Sequence, residues 1–213
     1  MNLILIRHGE TDWNRLGRCQ GIADIVLNEN GRKQARELAH SLRDHKITAI
    51  YSSHLKRAIE TAEHIARHHN LTVRVEHDLH EMNQGDLEGL TFPDIRDRYA
   101  EVLKKWRESP ETLRLPNGES LVEVQQRAWS VLEKVHEDHL GETVVAVSHN
   151  LTIITLLCKI TGVGLKGFRE FNVQATSKNI IVSENGEIRV DVINDVSHLS
   201  PMDSVPSFEE KRK

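Results

Sequence analysis

Four short apolar runs, each cut off by polar residues, constrain this chain more than any other feature. They are Leu3 to Ile6, Ile47 to Tyr51, Leu71 to Val75 and Thr143 to Val147. Leu3 to Ile6 is continuous rather than alternating and partly β-branched, as expected for a central strand buried on both faces of a parallel sheet; Thr143 to Val147 reads likewise, and the other two runs read as further strands. Between them, apolar residues recur at helical spacing. Ala35, Leu38, Ala39 and Leu42 stripe a helix over Glu29 to Asp44, with Asn28 as its expected N-cap. Ala58, Ile59, Ala62, Ile65 and Ala66 stripe a second, with Ser53 as its expected cap.

After Asp78 this rhythm breaks into a Gly- and Pro-containing stretch that includes Trp106, Pro110 and Pro116. It resumes at Ser120, which with Glu123 forms a capping-box pattern ahead of Val124, Ala128, Val131, Leu132 and Val135. Leu151 to Thr161 reads as a helix closed by Gly162, and Asn179 to Ile193 as a hairpin turning at Asn185-Gly186. The expected fold is therefore α/β: a mostly parallel, mixed central sheet flanked by helices, with a lid inserted after the third strand at about residues 83–119. One domain is expected over residues 1–199. The polar segment 200–213, with Pro201 and Pro206, is expected to be a disordered tail.

Composition removes several classes of function. Across 213 residues, 28 Lys and Arg against 32 Asp and Glu leave a formal charge of −4, without the basic surplus of a general nucleic-acid or anionic-membrane binder. No apolar run approaches the roughly 20 residues needed to span a bilayer, and Leu3 to Ile6 is too short for a secretory signal. Cys19 and Cys158 make neither a disulfide framework nor a metal-ligand spacing. These features together predict a soluble, cytoplasmic protein.

In open α/β sheets, ligands bind beyond the carboxyl ends of the strands. Here those ends carry Arg7-His8-Gly9-Glu10 after the first run, and Ser52-Ser53 after the second, with Arg57 one turn into the next helix. The third run leads toward Glu81, and the fourth meets Ser148-His149-Asn150. Two histidines, two arginines and a carboxylate converging on one rim suit phosphoryl transfer without a metal, because guanidinium forks can neutralise the oxygens that magnesium would otherwise hold. A neutral imidazole is a competent nucleophile near pH 7. The second histidine could donate a hydrogen bond to the anion. A carboxyl group facing a phosphate dianion is pushed toward its protonated form, ready to supply a leaving alkoxide.

These residues resemble the histidine phosphatase superfamily, in its phosphoglycerate-mutase-like branch of cofactor-independent acid-base phosphatases. The likeness rests on Arg7-His8-Gly9-Glu10-Thr11 with Trp13-Asn14, on Ser52-Ser53-His54-Leu55-Lys56-Arg57-Ala58 with Thr61-Ala62, on Glu81 followed by Gly85 and Glu88-Gly89, and on Ser148-His149. Pro116-Asn117-Gly118-Glu119-Ser120 extends it, and so does the closing stretch from Asn194 to Leu199. The resemblance implies His8 as the nucleophile, with Arg7, Arg57 and His149 as the phosphate clamp and Glu81 as the proton donor. It also implies Asn14 and Gln20 as further phosphate contacts, with Gly21 and Asn150 on the rim of the binding site. It implies no cofactor or metal. Asn150 departs from the family's usual glycine; as a residue that tolerates left-handed backbone and caps helices, it is expected to preserve the site.

The lid is short and mixed in sign. It looks most like that of bacterial broad-specificity and alpha-ribazole phosphatases, which favours hydrolysis of a small phosphorylated metabolite. Two other readings stand beside it: a phosphoglycerate mutase, and a non-catalytic phosphate-binding module, which would be expected to have lost the nucleophile or the acid. His64 and His68 lie one turn apart beside His69, a possible ligand spacing, but the apolar stripe of their helix places them on a solvated face. Phe92, Tyr99 and Trp106 either line the substrate entrance or hold the lid together. The exposed late hairpin offers a surface for homodimer pairing.

Overall fold

The computed structural model describes residues 1–184 and 187–200. Six strands form one sheet: β1 (Asn2–Arg7), β2 (Ile47–Ser52), β3 (Val73–Val75), β4 (Thr143–Ser148), β5 (Lys178–Glu184) and β6 (Glu187–Asp195), in spatial order β3-β2-β4-β1-β5-β6. The first four run parallel, whereas β5 is antiparallel to β1 and β6 to β5. The expected hairpin is therefore present, while its turn at Asn185-Gly186 and nearly all of the expected tail lie outside the described residues.

The central strands β1, β2 and β4 are almost wholly buried because both of their faces are covered, whereas the edge strand β3 is half-buried at Val73 and exposed at Arg74 and Val75. Ile4 and Ile6 of β1 face Leu38, Leu42, Ala62 and Ile65, which belong to α2 (Glu29–Leu42) and α3 (Lys56–His69). Leu3 and Leu5 face the opposite layer, which contains Val124, Leu132, Ile153 and Leu157 of α6 (Leu121–Asp138) and α7 (Asn150–Thr161). Asn28 and Ser120 cap α2 and α6 as expected, with Ser120 and Glu123 closing a reciprocal capping box.

Two boundaries differ from the sequence reading. The third strand starts at Val73, because Asn70 turns left-handed (φ 52°) and Leu71 N–H still bonds to Ala66 at the helix end. Ser53 does not cap α3. The N-cap position is Leu55, and the Lys56 N–H is instead satisfied by Asp24 from a distant loop, at 2.8 Å.

The inserted segment carries two short helices, α4 (Phe92–Arg98) and α5 (Ala100–Glu108). Its base is stitched to the loop after β1 by Cys19 N–H on Leu90 and Gly89 N–H on Cys19, at 2.9 and 2.8 Å. Its far end packs Trp106 edge-on against Phe168, ring centroids 5.1 Å apart, while Arg169 donates to the Trp106 carbonyl. Among the described residues no helix is long and apolar enough to cross a membrane.

Candidate active site

Parallel strand ends bring the first block together. His8 N–H donates to the Ser148 carbonyl at 3.1 Å, which extends the β1–β4 ladder past Arg7 and places His8 beside His149. The chain then turns so tightly that a Cβ on Gly9 would lie 2.5 Å from the Gly31 carbonyl, so glycine is required there. Thr61 Oγ1 accepts from Gly9 N–H and donates to the Arg57 carbonyl, tying the loop to α3.

The His8 ring is oriented by what each nitrogen meets. Nδ1–H donates to the Gly9 carbonyl at 2.7 Å, which fixes the tautomer and leaves the Nε2 lone pair as the reactive position. Arg57 Nε–H donates to that Nε2 at 3.2 Å. The remainder of the Arg57 guanidinium, fully buried, is held by the carbonyls of Gly21 and Ala23, each at 2.7 Å. Gly21 presents its carbonyl from a left-handed backbone (φ 53°), in a loop pinned by Glu88, which accepts from Ile22 and Ala23. Arg7 donates from one terminal nitrogen to the Val173 carbonyl (2.6 Å) and Asn150 Oδ1 (3.3 Å).

Neither arginine forms an ion pair with a carboxylate among the described residues, although Glu81 acts on both at longer range, and Asp24 and Glu88 act on Arg57. Burial lowers the Arg57 pKa to about 10 and lowers that of Arg7 as well. Burial first, and the two guanidiniums second, hold His8 well below the ordinary histidine range, so its ring is neutral. The same causes, burial and then Arg57, depress His149. The His149 ring centroid lies 5.0 Å from that of His8, and neither of its nitrogens meets a partner among the described residues. A fully buried guanidinium and a half-buried one, both without paired carboxylates, beside an unsatisfied buried imidazole are costly unless an anion completes them.

Glu81 faces this cluster from the far side. Its two oxygens accept from Met82 N–H (2.8 Å) and from Leu151 N–H in the first turn of α7 (3.2 Å). A cavity of about 160 Å³ opens over it, lined at one end by Arg7, His8, Asn14, Gln20, Gly21, Glu81 and Asn150. Arg57 and His149 sit behind His8, fully buried. All nine residues expected from sequence thus gather in one region.

Three of them sit there differently from expectation. Asn14 is not in an open loop; it lies in the short helix α1 (Asp12–Arg15), where its Oδ1 completes a capping box with Thr11. Gln20 gives its carbonyl oxygen to the Thr11 hydroxyl. For both residues the amide nitrogen is the atom suited to a ligand. Asn150 is neither left-handed nor a cap. His149 occupies the N-cap, and Asn150 begins the helix and gives Arg7 a polar partner that glycine could not provide.

The chain matches the model of the histidine phosphatase superfamily (branch 1) over residues 3–196. The chain belongs to that superfamily. Among histidine phosphatases and related proteins, it is 37% identical over 199 residues to phosphoserine phosphatase 1 of Hydrogenobacter thermophilus, covering 93% of this chain and 94% of that one. YhfR of Bacillus stearothermophilus superposes with a TM-score of 0.88 at 34% identity, covering 92% of this chain and 98% of the other. A mycobacterial glucosyl-3-phosphoglycerate phosphatase in complex with VO3 superposes with a TM-score of 0.83 at 30% identity, covering 91% and 98%. The mixed α/β sheet is that of these phosphatases, and this chain is a phosphatase, a hydrolase of phosphate esters.

Sequence reasoning missed the clamp on the acid's loop. Arg127, on α6, donates to the carbonyls of Asp78 (2.6 Å), His80 (2.8 Å) and Glu81 (3.2 Å) and pairs with Glu119 at 3.0 Å. Glu119 in turn accepts from Asn83 N–H at 2.7 Å, while Ser148 and Thr152 hydroxyls donate to Leu79 and His80. Glu119 lies in a quoted motif and could have been found. Arg127 carries no local signal, because its partners are nearly fifty residues away. Of the metal candidates, His68 is exposed, while His64 and His69 are half-buried; no cluster of three or more such side chains among the described residues could hold a metal ion.

Proposed function

We propose that this chain hydrolyses small phosphate monoesters through a covalent phosphohistidine at His8 Nε2. The observation that carries the reading is the neutral His8 ring, pinned at Nδ1 and flanked by the fully buried guanidinium of Arg57 and the half-buried one of Arg7, neither of which has a paired carboxylate among the described residues. In the first step the Nε2 lone pair attacks phosphorus and the P–O bond to the alcohol breaks. Protonated Glu81 delivers its proton to the departing oxygen. In the second, water attacks phosphorus, Glu81 takes its proton, and the P–N bond breaks with its electron pair returning to Nε2. Arg57 Nε–H, which holds the Nε2 lone pair in the ligand-free site, transfers to a phosphoryl oxygen when substrate arrives. Arg7, His149 and the amide nitrogens of Asn14 and Gln20 share the remaining oxygens.

The test is hydrolysis of p-nitrophenyl phosphate in EDTA, with detergent-quenched enzyme kept at alkaline pH and assayed for base-stable, acid-labile phosphate. Wild type should turn over and trap label on histidine. His8→Ala should lose at least about 10⁴-fold, as removal of a covalent nucleophile does. Turnover by His8→Ala at near wild-type rate would refute the mechanism. A second reading is kept open by relatives such as the probable phosphoglycerate mutase GpmB of Yersinia pestis, 33% identical over 83% of this chain. Transfer to added phosphoglycerate exceeding hydrolysis would favour a mutase.

A further inference from the structure

The cavity changes character along its length. Its inner end is the charged cluster; away from it the wall is Phe92, Ile95, Val102, Trp106, Ile154 and Phe171. These side chains come from the two lid helices, from α7 and from the segment after it, and all are buried or half-buried. Apart from Arg7, His8 and Glu81 at the phosphate end, Arg18 alone among the lining residues carries an ionisable charge. It is exposed at the mouth, with one guanidinium nitrogen donating to the Gly89 carbonyl. The polar wall residues Gln84 and Asn172 are uncharged.

This wall discriminates among phosphate esters by the chemistry of the alcohol. The substrate phosphate has one place to sit, over His8, so the alcohol must extend along the apolar wall. An ammonium group there would leave water with no carboxylate to meet except Glu81, whose proton is needed for the leaving oxygen. A carboxylate would find only Arg18, at an exposed rim where an ion pair is weak. Burying either group unpaired is strongly unfavourable, whereas an uncharged ring or alkyl chain gains from leaving water. The whole cavity, phosphate end included, is about 160 Å³, so the alcohol it encloses is small.

We propose that the preferred substrates are monoesters of small, uncharged, apolar alcohols, and that zwitterionic or anionic alcohols are disfavoured. The proposal rests on the phosphohistidine reading and narrows it. It also separates this chain from the relative named phosphoserine phosphatase 1, because phosphoserine carries both an ammonium and a carboxylate.

The experiment compares kcat/KM of the full-length protein, in EDTA, for benzyl phosphate, O-phosphoserine and 3-phosphoglycerate, all of which release alkoxides. Benzyl phosphate should lead by at least about 10-fold, the discrimination that an apolar pocket commonly supplies. Equal or better rates for phosphoserine or phosphoglycerate would overturn the proposal while leaving the phosphohistidine mechanism intact. Absence of turnover of p-nitrophenyl phosphate would remove the mechanism itself. Trp106→Ala should lower the ratio of benzyl to methyl phosphate hydrolysis about tenfold, and an unchanged ratio would count against the wall. Val102→Ser, at a half-buried lid position, provides the same comparison if the tryptophan variant does not fold.

Discussion

The two ends of the cavity are built by opposite means. The phosphate end is made from strand termini and the first turns of helices, with Arg57 and His149 fully buried and Arg57 held by hydrogen bonds to carbonyls. The alcohol end is made from side chains of two short lid helices, anchored through Gly89, Cys19 and Trp106. At the first end, charge is kept out of water at a cost of several kcal/mol per ion, a cost that an arriving phosphate relieves. At the second there is little to relieve, and the gain from binding grows with apolar area. On the proposed mechanism the difference assigns rate to the end built from strand and helix termini, and choice of alcohol to the end built from the lid helices together with Ile154 and Phe171.

If that division holds, variants at the phosphate end should respond to the acidity of the leaving group or to nothing about it, but not to its size. Glu81→Gln should show the largest contrast. With an alkyl phosphate, whose alkoxide needs a proton, kcat/KM should fall about 10²- to 10⁴-fold. With p-nitrophenyl phosphate, whose phenolate leaves unaided, the loss should be far smaller. The variant keeps one of the two backbone hydrogen bonds from Met82 and Leu151 and sets an NH2 against the other donor, so both substrates share a modest common loss. Equal losses for both would show that Glu81 positions rather than protonates.

Arg57→Met tests the other half of that claim. Removing the fully buried guanidinium should cost about 10²- to 10³-fold in kcat/KM, uniformly across alcohols, because the lost bonds are to the phosphoryl oxygens. Inorganic phosphate should raise the Tm of the wild-type protein by mass action on the folded state, and this rise should largely vanish in the variant. Thermal shift measurements with and without phosphate separate this from simple destabilisation, since an unfolding defect lowers both curves together. A variant whose loss depended on alcohol size would blur the boundary between the two ends.

Part of the phosphate end was legible in the sequence because Arg7, His8, Ser148 and His149 lie at the ends of buried strands and Arg57 and Asn150 open helices. Arg7 ends β1 with His8 just after it, Ser148 ends β4 with His149 just after it, and Arg57 is the second residue of α3, so the apolar runs indicated which polar residues share the rim. What was not legible depends on contacts between distant segments. Asp24 caps α3 in place of Ser53, Asn150 turns its amide to Arg7, and Asn14 and Gln20 divide their amides between Thr11 and the pocket. None of these follows from spacing along the chain, because local propensity identifies a cap-forming residue without naming which helix end it will reach. The lid was visible as an interruption in the strand-helix rhythm, but which of its aromatics face the cavity depends on helix rotation. Phe92 and Trp106 do, whereas Tyr99 packs against the core and Arg98.

The smallest expected effect concerns a residue that touches neither end. Arg127 binds three consecutive-loop carbonyls around Glu81 and is held by Glu119, so it is a positioning residue for the acid. Arg127→Ala removes a donor from the Asp78, His80 and Glu81 carbonyls, although Thr152 still reaches His80, the His80 Nδ1 still reaches the Glu81 carbonyl and Ser148 still reaches Leu79. The loop therefore loosens without being released. A displacement of the acid by a fraction of an ångström weakens proton delivery more than it weakens nucleophilic attack, since His8 is held independently by Gly9 and Ser148. The expected result is about a tenfold loss for an alkyl phosphate and a smaller one for p-nitrophenyl phosphate, the same signature as Glu81→Gln at reduced size. Arg127→Lys, which keeps charge but cannot span three carbonyls, should fall between alanine and wild type. A loss equal for both substrates would mean that Arg127 supports the fold and has no bearing on the proton.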